Sequence, residues 1–446
     1  MKPNILFILV DGLRADQTFG NERTCLTPNI DMLTKNGTYF EQAVSSADGT
    51  MLNLNSIFNS LRPHKTGVRA KNLILTNMNY ITQLRDYGYH IFGLVPKLTA
   101  YSSLIDYFKN DKTTYNHHHP NKEYLWKGLD QKAVKILDSI KNSEPWFYFL
   151  HLMDLHPPLV VEKKFDSEEF GDSPYARMVS GIDHWIGKIL EKIDPKQTLL
   201  ILTSDHGNLI PKDNKSFSDI EPDLKTGLKV GKRIMPKFTH AAGAKLFNVT
   251  RSMITEAKLA NENKKLTPYD RRSKLPHFTL SLYDENIRVP LIFVGCNINP
   301  KKISQQVQNL DIFPTIAEII KLPKKNNMID GRSLFGGFEN KIAEQPAYLH
   351  TMPFEFMSPD DTVGIRTSEY KYFRQSRDSK KNVNLYDLQN DPQENHNIAK
   401  QYSDVVKEME QILSKMTSHK LEKQEQPIDE NVRKKIEEEY KKLGYL

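Results

Sequence analysis

The stretch Asn4-Ile5-Leu6-Phe7-Ile8-Leu9-Val10, closed by Asp11-Gly12, decides the fold class of this 446-residue chain. Its apolar run is too short to cross a bilayer, which takes about 20 residues. It is too continuous for a strand with one wet face, which would alternate. It suits a parallel strand covered on both faces. The run is also shorter than most secretory apolar regions and meets no small-residue cleavage site. The expected location is therefore cytoplasmic, which makes the sequons Asn36-Gly37-Thr38 and Asn248-Val249-Thr250 incidental.

Three more runs read the same way: Trp146-Phe147-Tyr148-Phe149-Leu150-His151, Thr198-Leu199-Leu200-Ile201-Leu202-Thr203 and Val289-Pro290-Leu291-Ile292-Phe293-Val294. Amphipathic segments lie between them. Gln131–Ile140 is one, and Ala176–Ile193 is another, with Trp185, Ile186, Ile189 and Leu190 at helical spacing. Short buried strands alternating with helices predict an α/β fold, a three-layer α/β/α sandwich on a mostly parallel central sheet. Ligands of such sheets bind beyond the carboxyl ends of the strands. Asp11, His151, Asp154, His156, Asp205 and His206 all fall there.

Composition narrows the chemistry. The chain is 38% hydrophobic and 26% charged, which excludes wholesale disorder. Two cysteines, Cys25 and Cys296, build neither a disulfide framework nor a cysteine metal cage, so the fourteen histidines carry any soft metal chemistry. A net charge of +7 suits an anionic substrate without implying nucleic acid. Carboxylates and imidazoles gathered at strand ends, with no glycine-rich phosphate loop, suggest metal-assisted ester chemistry.

Several motifs carry a family resemblance. Val10-Asp11-Gly12-Leu13-Arg14-Ala15-Asp16 and Leu26-Thr27-Pro28-Asn29-Ile30-Asp31-Met32-Leu33 come first, then Thr203-Ser204-Asp205-His206-Gly207. Leu282-Tyr283-Asp284-Glu285-Asn286-Ile287-Arg288-Val289-Pro290-Leu291, Asp311-Ile312-Phe313-Pro314-Thr315 and Asp330-Gly331-Arg332-Ser333-Leu334 follow. Asn384-Leu385-Tyr386-Asp387-Leu388 and a Leu443-Gly444-Tyr445 ending complete the set. In this order they resemble the sulfatase family of the alkaline phosphatase superfamily. The resemblance implies that fold, with a small C-terminal α+β subdomain added.

The nucleophile position departs from the family pattern. Ordinary sulfatases carry a Cys or Ser that becomes formylglycine, a fixed distance before a segment matched here by Leu61-Arg62-Pro63-His64-Lys65-Thr66-Gly67. Counting back from Pro63 lands on Thr50, in Asp48-Gly49-Thr50-Met51-Leu52-Asn53. Neither the cysteine nor the motif arginine is present. A threonine hydroxyl becomes a nucleophile when a metal lowers its pKa, and this pattern resembles the phosphodiesterase and phosphotransferase branch. The alternative role for Thr50 is a cap on the following helix.

By resemblance, Asp11, Thr50, Asp205, His206 and His277 hold a divalent metal, with His240 a rival to His277. Gly12 stands where many relatives have a second aspartate. Fewer carboxylates favour zinc or manganese, with calcium and magnesium left open. The resemblance also makes His156 a proton donor to the leaving oxygen and Lys97 a neutraliser of the transferred oxyanion, and puts His151 and Asp154 beside the substrate. His117-His118-His119, followed by Pro120, Asn121 and Lys122, reads as an exposed loop.

The expected organisation is a catalytic domain over 1–330, a small subdomain over 331–401 and a helical tail over 402–446 packed on the body. Residues 207–276 form a basic insert with fifteen Lys/Arg against seven Asp/Glu. It reads as a solvated insert or as a lid selecting a polyanionic substrate. The functional expectation is a metal-dependent hydrolase or transferase of phosphate or sulfate esters using Thr50, phosphate favoured. The alternatives are a sulfatase working without formylglycine and a catalytically silent binding protein. The sequence predicts no transmembrane segment and leaves the oligomeric state open.

Overall fold

The computed structural model describes residues 2–66, 73–77, 79–118, 120–210, 267–273, 281–323, 329–335, 344–351 and 361–418, with positions 435, 438 and 439. His277, His240 and most of the 207–276 segment lie outside the described residues. The chain divides into two compact units, Met1–Asn208 with Leu280–Leu446, and Leu209–Thr279.

Nine strands of the larger unit make one sheet among the described residues. They are β1 (Asn4–Val10), β2 (Thr38–Val44), β3 (His90–Pro96), β4 (Thr114–Tyr115), β5 (Trp146–Leu152), β6 (Thr198–Thr203), β7 (Arg288–Val289), β8 (Leu291–Val294) and β9 (Lys301–Gln308). Their order is β4-β3-β5-β1-β6-β8-β2-β7, with β9 also on β2. The run from β4 to β6 is wholly parallel, while β8 joins antiparallel to both β6 and β2. Every residue of β1, β5 and β6 is buried, the reason these segments show no alternation. The fourth apolar run is split at Pro290, which has no N–H for a ladder, so Val289 pairs with β2 and Leu291 with β6.

Helices cover the sheet: α1 (Pro28–Asn36), α2 (Thr50–Asn59), α3 (Leu129–Ile140), α4 (Pro174–Leu190) and α5 (Ile312–Ile319). Ile5, Phe7 and Leu9 share one core with Met51, Leu54, Ile57 and Phe58 of α2 and Phe313 of α5. Leu6, Ile8 and Val10 are equally buried on the opposite face. The start of α1 is closed from a distance: the Asp183 carboxylate of α4 accepts from the N–H of Asn29 at 3.1 Å and of Ile30 at 2.7 Å. These are donors that a helix N-terminus otherwise leaves unpaired. Among the described residues no helix is long and apolar enough to cross a membrane.

A second, antiparallel sheet follows, in the order β10 (Ala347–His350), β11 (Thr362–Arg366), β12 (Tyr370–Gln375) and β13 (Asn384–Asp387). Helix α6 (Ser403–Thr417) lies on it through Met409 and Leu413, which join Tyr348, Ile365, Tyr372 and Leu385 in one cluster, with Val405 half-buried beside them. Together the two sheets and their helices make the expected α/β/α sandwich with a small α+β subdomain.

A buried ionic cluster ties the second sheet to the first. Arg366 donates to both Asp284 oxygens, at 3.0 and 2.8 Å. Lys371, with no exposed side-chain surface, pairs with Asp284 and, at 2.8 Å, with Glu394. The arginine and lysine hold the Asp284 carboxyl well below the usual carboxylate range, although burial alone pushes it up. Removing one partner of such a cluster strands the others in a low dielectric. Lys371→Met therefore lowers unfolding stability by about 3 kcal/mol or more, read as a fall in the urea midpoint. An unchanged midpoint would show that the cluster holds nothing together.

Candidate functional site

The carboxyl ends of β1, β5 and β6 lie side by side, and each delivers one residue to the same point. Asp11 follows β1, His151 closes β5, and Asp205 follows β6 by two residues. All three are buried, and one ligand atom from each lies within 4.8 Å of the others. The chain is folded to make this happen. The Asp11 N–H continues the ladder to the Leu152 carbonyl at 2.8 Å. Ser204 Oγ donates to the Val10 carbonyl at 2.6 Å and accepts from the Leu13 N–H at 3.0 Å, stapling the two strand ends together.

Gly12 turns the chain with φ +70°, a conformation L side chains rarely adopt. Its N–H reaches Asp205 Oδ1 at 3.3 Å. The absent second aspartate is thus replaced by a backbone donor. Gly207 allows a second close approach, because a Cβ there would stand 2.0 Å from the Glu285 carbonyl oxygen.

The polar atoms at the centre are incompletely matched. His151 Nε2 and Asp205 Oδ2 are buried without hydrogen-bond partners. Burial, with help from the Asp11 charge, pushes the Asp205 carboxyl up. Burial pulls the His151 imidazole down to about 4, leaving it neutral. Two facing carboxylates and a neutral imidazole with an orphaned nitrogen are a fitting donor set for a divalent cation. With Nε2 as ligand, His151 Nδ1–H donates to Tyr101 Oη at 2.8 Å, a contact that fixes ring and tautomer. A cation held by Asp11, His151 and Asp205 would supply Lewis acidity and lower the pKa of a bound hydroxyl.

Thr50 adjoins this cluster. It is the first residue of α2, with Gly49 in the capping position. Its Oγ1 makes no cap bond; it donates to Asp11 Oδ2 at 3.0 Å and lies 3.4 Å from His206 Nε2. His206 Nδ1 donates to the Gly207 carbonyl at 2.6 Å, which turns Nε2 toward the threonine. Burial would pull this imidazole down, but the Asp205 and Asp11 carboxylates outweigh it and hold it up. The N-terminus of α2 also favours an anion at this point.

Asn53, one turn on, holds the loop that presents Thr50. Its amide accepts from the Ala47 N–H at 3.0 Å and donates to the Ala47 and Gly49 carbonyls at 2.6 and 3.1 Å. Asn309 then donates to Asn53 and accepts from Ser46, both at 2.8 Å. Nothing in the spacing of the sequence singles out Asn53; in the structure it is a brace.

The other expected residues scatter. Asp154 is buried, accepts from the Leu125 N–H at 2.8 Å, and is pushed up to about 6 by burial. His156 is buried, with Nδ1 on the Pro157 carbonyl at 3.0 Å. The Lys97 side chain is exposed. The loop after β4 differs from the sequence reading: His117 and Lys122 are 4% and 3% exposed, not solvated. No sequence signal marks them, because a lysine after Pro120-Asn121 looks like any surface lysine.

A buried cluster of two carboxylates and an imidazole, beside a hydroxyl at a helix N-terminus and at the carboxyl edge of a parallel sheet, is a group that could hold a metal ion. The sulfatase family model matches residues 3–322, so the chain belongs to the sulfatase family. A second model, N-sulphoglucosamine sulphohydrolase, C-terminal, matches residues 278–419. The chain is 23% identical over 317 residues to an N-acetylgalactosamine-6-O-sulfatase of Bacteroides thetaiotaomicron, covering 66% of this chain and 52% of the relative. It is 27% identical over 313 residues to arylsulfatase K of Rattus norvegicus, covering 66% and 52%. The chain thus spans about half the length of these curated relatives. In fold it is similar to the phosphonate monoester hydrolase of Agrobacterium radiobacter, with a TM-score of 0.66, 15% identity, and 94% and 96% of the two chains covered.

Two outcomes check this geometry. Elemental analysis of purified protein should find a divalent ion that falls well below stoichiometry in Asp205→Asn and in His151→Gln. Asn53→Ala should stay folded yet lose about 100-fold in kcat, because the Thr50 loop shifts relative to its partners; full activity would dismiss the brace.

Proposed function

We propose that the chain is a metal-dependent ester hydrolase acting on sulfate esters, with Thr50 as nucleophile. The observation that carries this reading is the Thr50 hydroxyl donating to Asp11 at 3.0 Å beside His206 and the Asp11–His151–Asp205 cluster. The family match supports sulfate as the ester, and the N-acetylgalactosamine-6-O-sulfatase relative supports a sugar as the organic part. Zinc or manganese suits a site of two carboxylates and one imidazole.

In this reading Asp11 and His206 orient the Thr50 hydroxyl, and Asp11 Oδ2, which accepts its hydrogen bond, takes its proton as Oγ1 attacks sulfur and the bond from sulfur to the ester oxygen breaks. The ester oxygen leaves with a proton from His156. Water then attacks the sulfur of the threonine sulfate, releasing sulfate and restoring the hydroxyl. The donors at the start of α2 stabilise the equatorial oxygens. We assign residues 1–330 to the catalytic domain and 331–401 to the subdomain; most of the 207–276 insert and of the 402–446 tail lies outside the described residues.

One observation favours a second reading on phosphate esters. The nucleophile position holds a hydroxyl that cannot become formylglycine, and an ordinary alkoxide transfers phosphoryl groups readily. Aryl sulfate and aryl phosphodiester substrates separate the two. Turnover of the sulfate, a transient mass adduct on wild type, and loss of both in Thr50→Ala support the first. Turnover of the phosphodiester alone moves the protein to the second, and no turnover of either sinks both.

A further inference from the structure

We propose that His117 and Lys122 form a subsite for a second anionic substituent, a carboxylate or further sulfate, on the organic part of the substrate. The proposal rests on the ester-hydrolase reading and specifies its substrate class. It starts from a buried cation. Lys122 Nζ is buried and donates to the backbone carbonyls of Asp154 at 3.3 Å and His156 at 2.7 Å. Carbonyls occupy two of its three N–H groups, the Tyr124 ring lies 4.7 Å from Nζ, and the Asp154 and Asp11 carboxylates attract it from beyond ion-pair distance. Among the described residues no carboxylate lies within ion-pair distance of it. Buried lysines are ordinarily paired.

His117, on the same loop, is a second and independent sign. It is 96% buried, and neither ring nitrogen has a hydrogen-bond partner. Its ring centroid lies 4.0 Å from that of His118. Burial keeps this imidazole neutral, so it offers one donor and one acceptor. The orphaned buried N–H is a donor that an anion's oxygen would accept from, while a water would serve the second nitrogen.

The strand order says which part of the substrate arrives there. β4 is parallel to β3, so the loop after it rises at the same end of the sheet as Asp11 and His151. β4 lies two strands outward from β5, away from Thr50 and Asp205. Tyr115 anchors the loop, its hydroxyl donating to the His151 carbonyl at 2.8 Å and accepting from the Met153 N–H at 3.0 Å. Lys122 straps the far end onto the 154–156 segment. A substrate with its sulfur at Thr50 and its leaving oxygen at His156 therefore extends its organic part across this flank. Lys97, exposed to solvent, holds no such place.

The test compares aryl sulfates with and without a ring carboxylate on wild type, Lys122→Gln and His117→Gln, with thermal melting to verify folding. Wild type should favour the carboxylated ester. Each variant should lose about tenfold in kcat/KM on that ester, through KM, and stay within about twofold on the plain one. Equal losses on both esters, or no preference in wild type, overturn the subsite and leave Lys122 a strap for the 154–156 turn. Calorimetry with 3- and 4-sulfobenzoate against benzenesulfonate asks the same question without turnover. Tighter binding of a dianion by wild type, lost in the variants, supports the subsite even if neither ester is hydrolysed and the hydrolase reading fails. Equal binding of dianions and monoanion by wild type overturns it. If Lys122→Gln does not fold, His117→Gln decides by both readouts.

Discussion

Two carboxylates forced together out of water are the constraint on which the rest of this structure depends. Asp11 and Asp205 leave neighbouring parallel strands at the same level and face one another under burial, and burial with the Asp11 charge raises the cost of ionising Asp205. Nothing in β1 or β6 gains from that approach. It is held by a register that pairs Leu9 with Thr203, by the Ser204 staple, and by the Gly12 turn. A neutral, orphaned imidazole beside them completes a site whose unmet polar atoms a cation would answer. Local strain at the centre is offset by some of the best-packed strands in the chain.

A second tier of polar contacts positions the Thr50 hydroxyl. Helix α2 is buried on nearly every side, yet it carries Asn53, Asn55 and Asn59. Each asparagine binds backbone: Asn53 closes the 47–49 loop, Asn55 accepts from the Ile74 N–H, and Asn59 accepts from the Thr76 N–H. These amides replace the hydrogen bonds a sheet would have made for loops lying against a helix. The Asp330-Gly331-Arg332 motif works similarly. Asp330 accepts from the Arg62 N–H at 2.9 Å and from Lys65 at 2.6 Å, fixing the chain just beyond α2. Motifs that resemble catalytic signatures in sequence here serve the scaffold around Thr50.

Much of the fold was legible because its signals are local. Continuous apolar runs marked β1, β5 and β6, and helical spacing marked α3 and α4, with boundaries displaced by a few residues. Asp11, Asp205 and His206 were legible as strand-end residues, and Thr50 from its distance to Pro63. His151 was assigned to the substrate side, since nothing in the order of residues says that β5 lies directly against β1. Asn53, His117 and Lys122 escaped notice for the same reason. Their significance lies in partners 6 to more than 250 residues away, or in the lack of any.

By itself, the sequence determined the layered α/β class, the parallel strands and the residue types waiting at their ends, since periodicity and apolar continuity are properties of neighbouring residues. Only the tertiary structure decided which of those residues meet. Strand order put His151 on the strand beside that of Asp11, on the side away from Asp205, and packing left Lys97 in solvent and buried a lysine that reads as surface. The physical reason is that burial and partnership depend on the packing of distant segments, and a metal site is a coincidence of side chains that only a completed sheet can arrange.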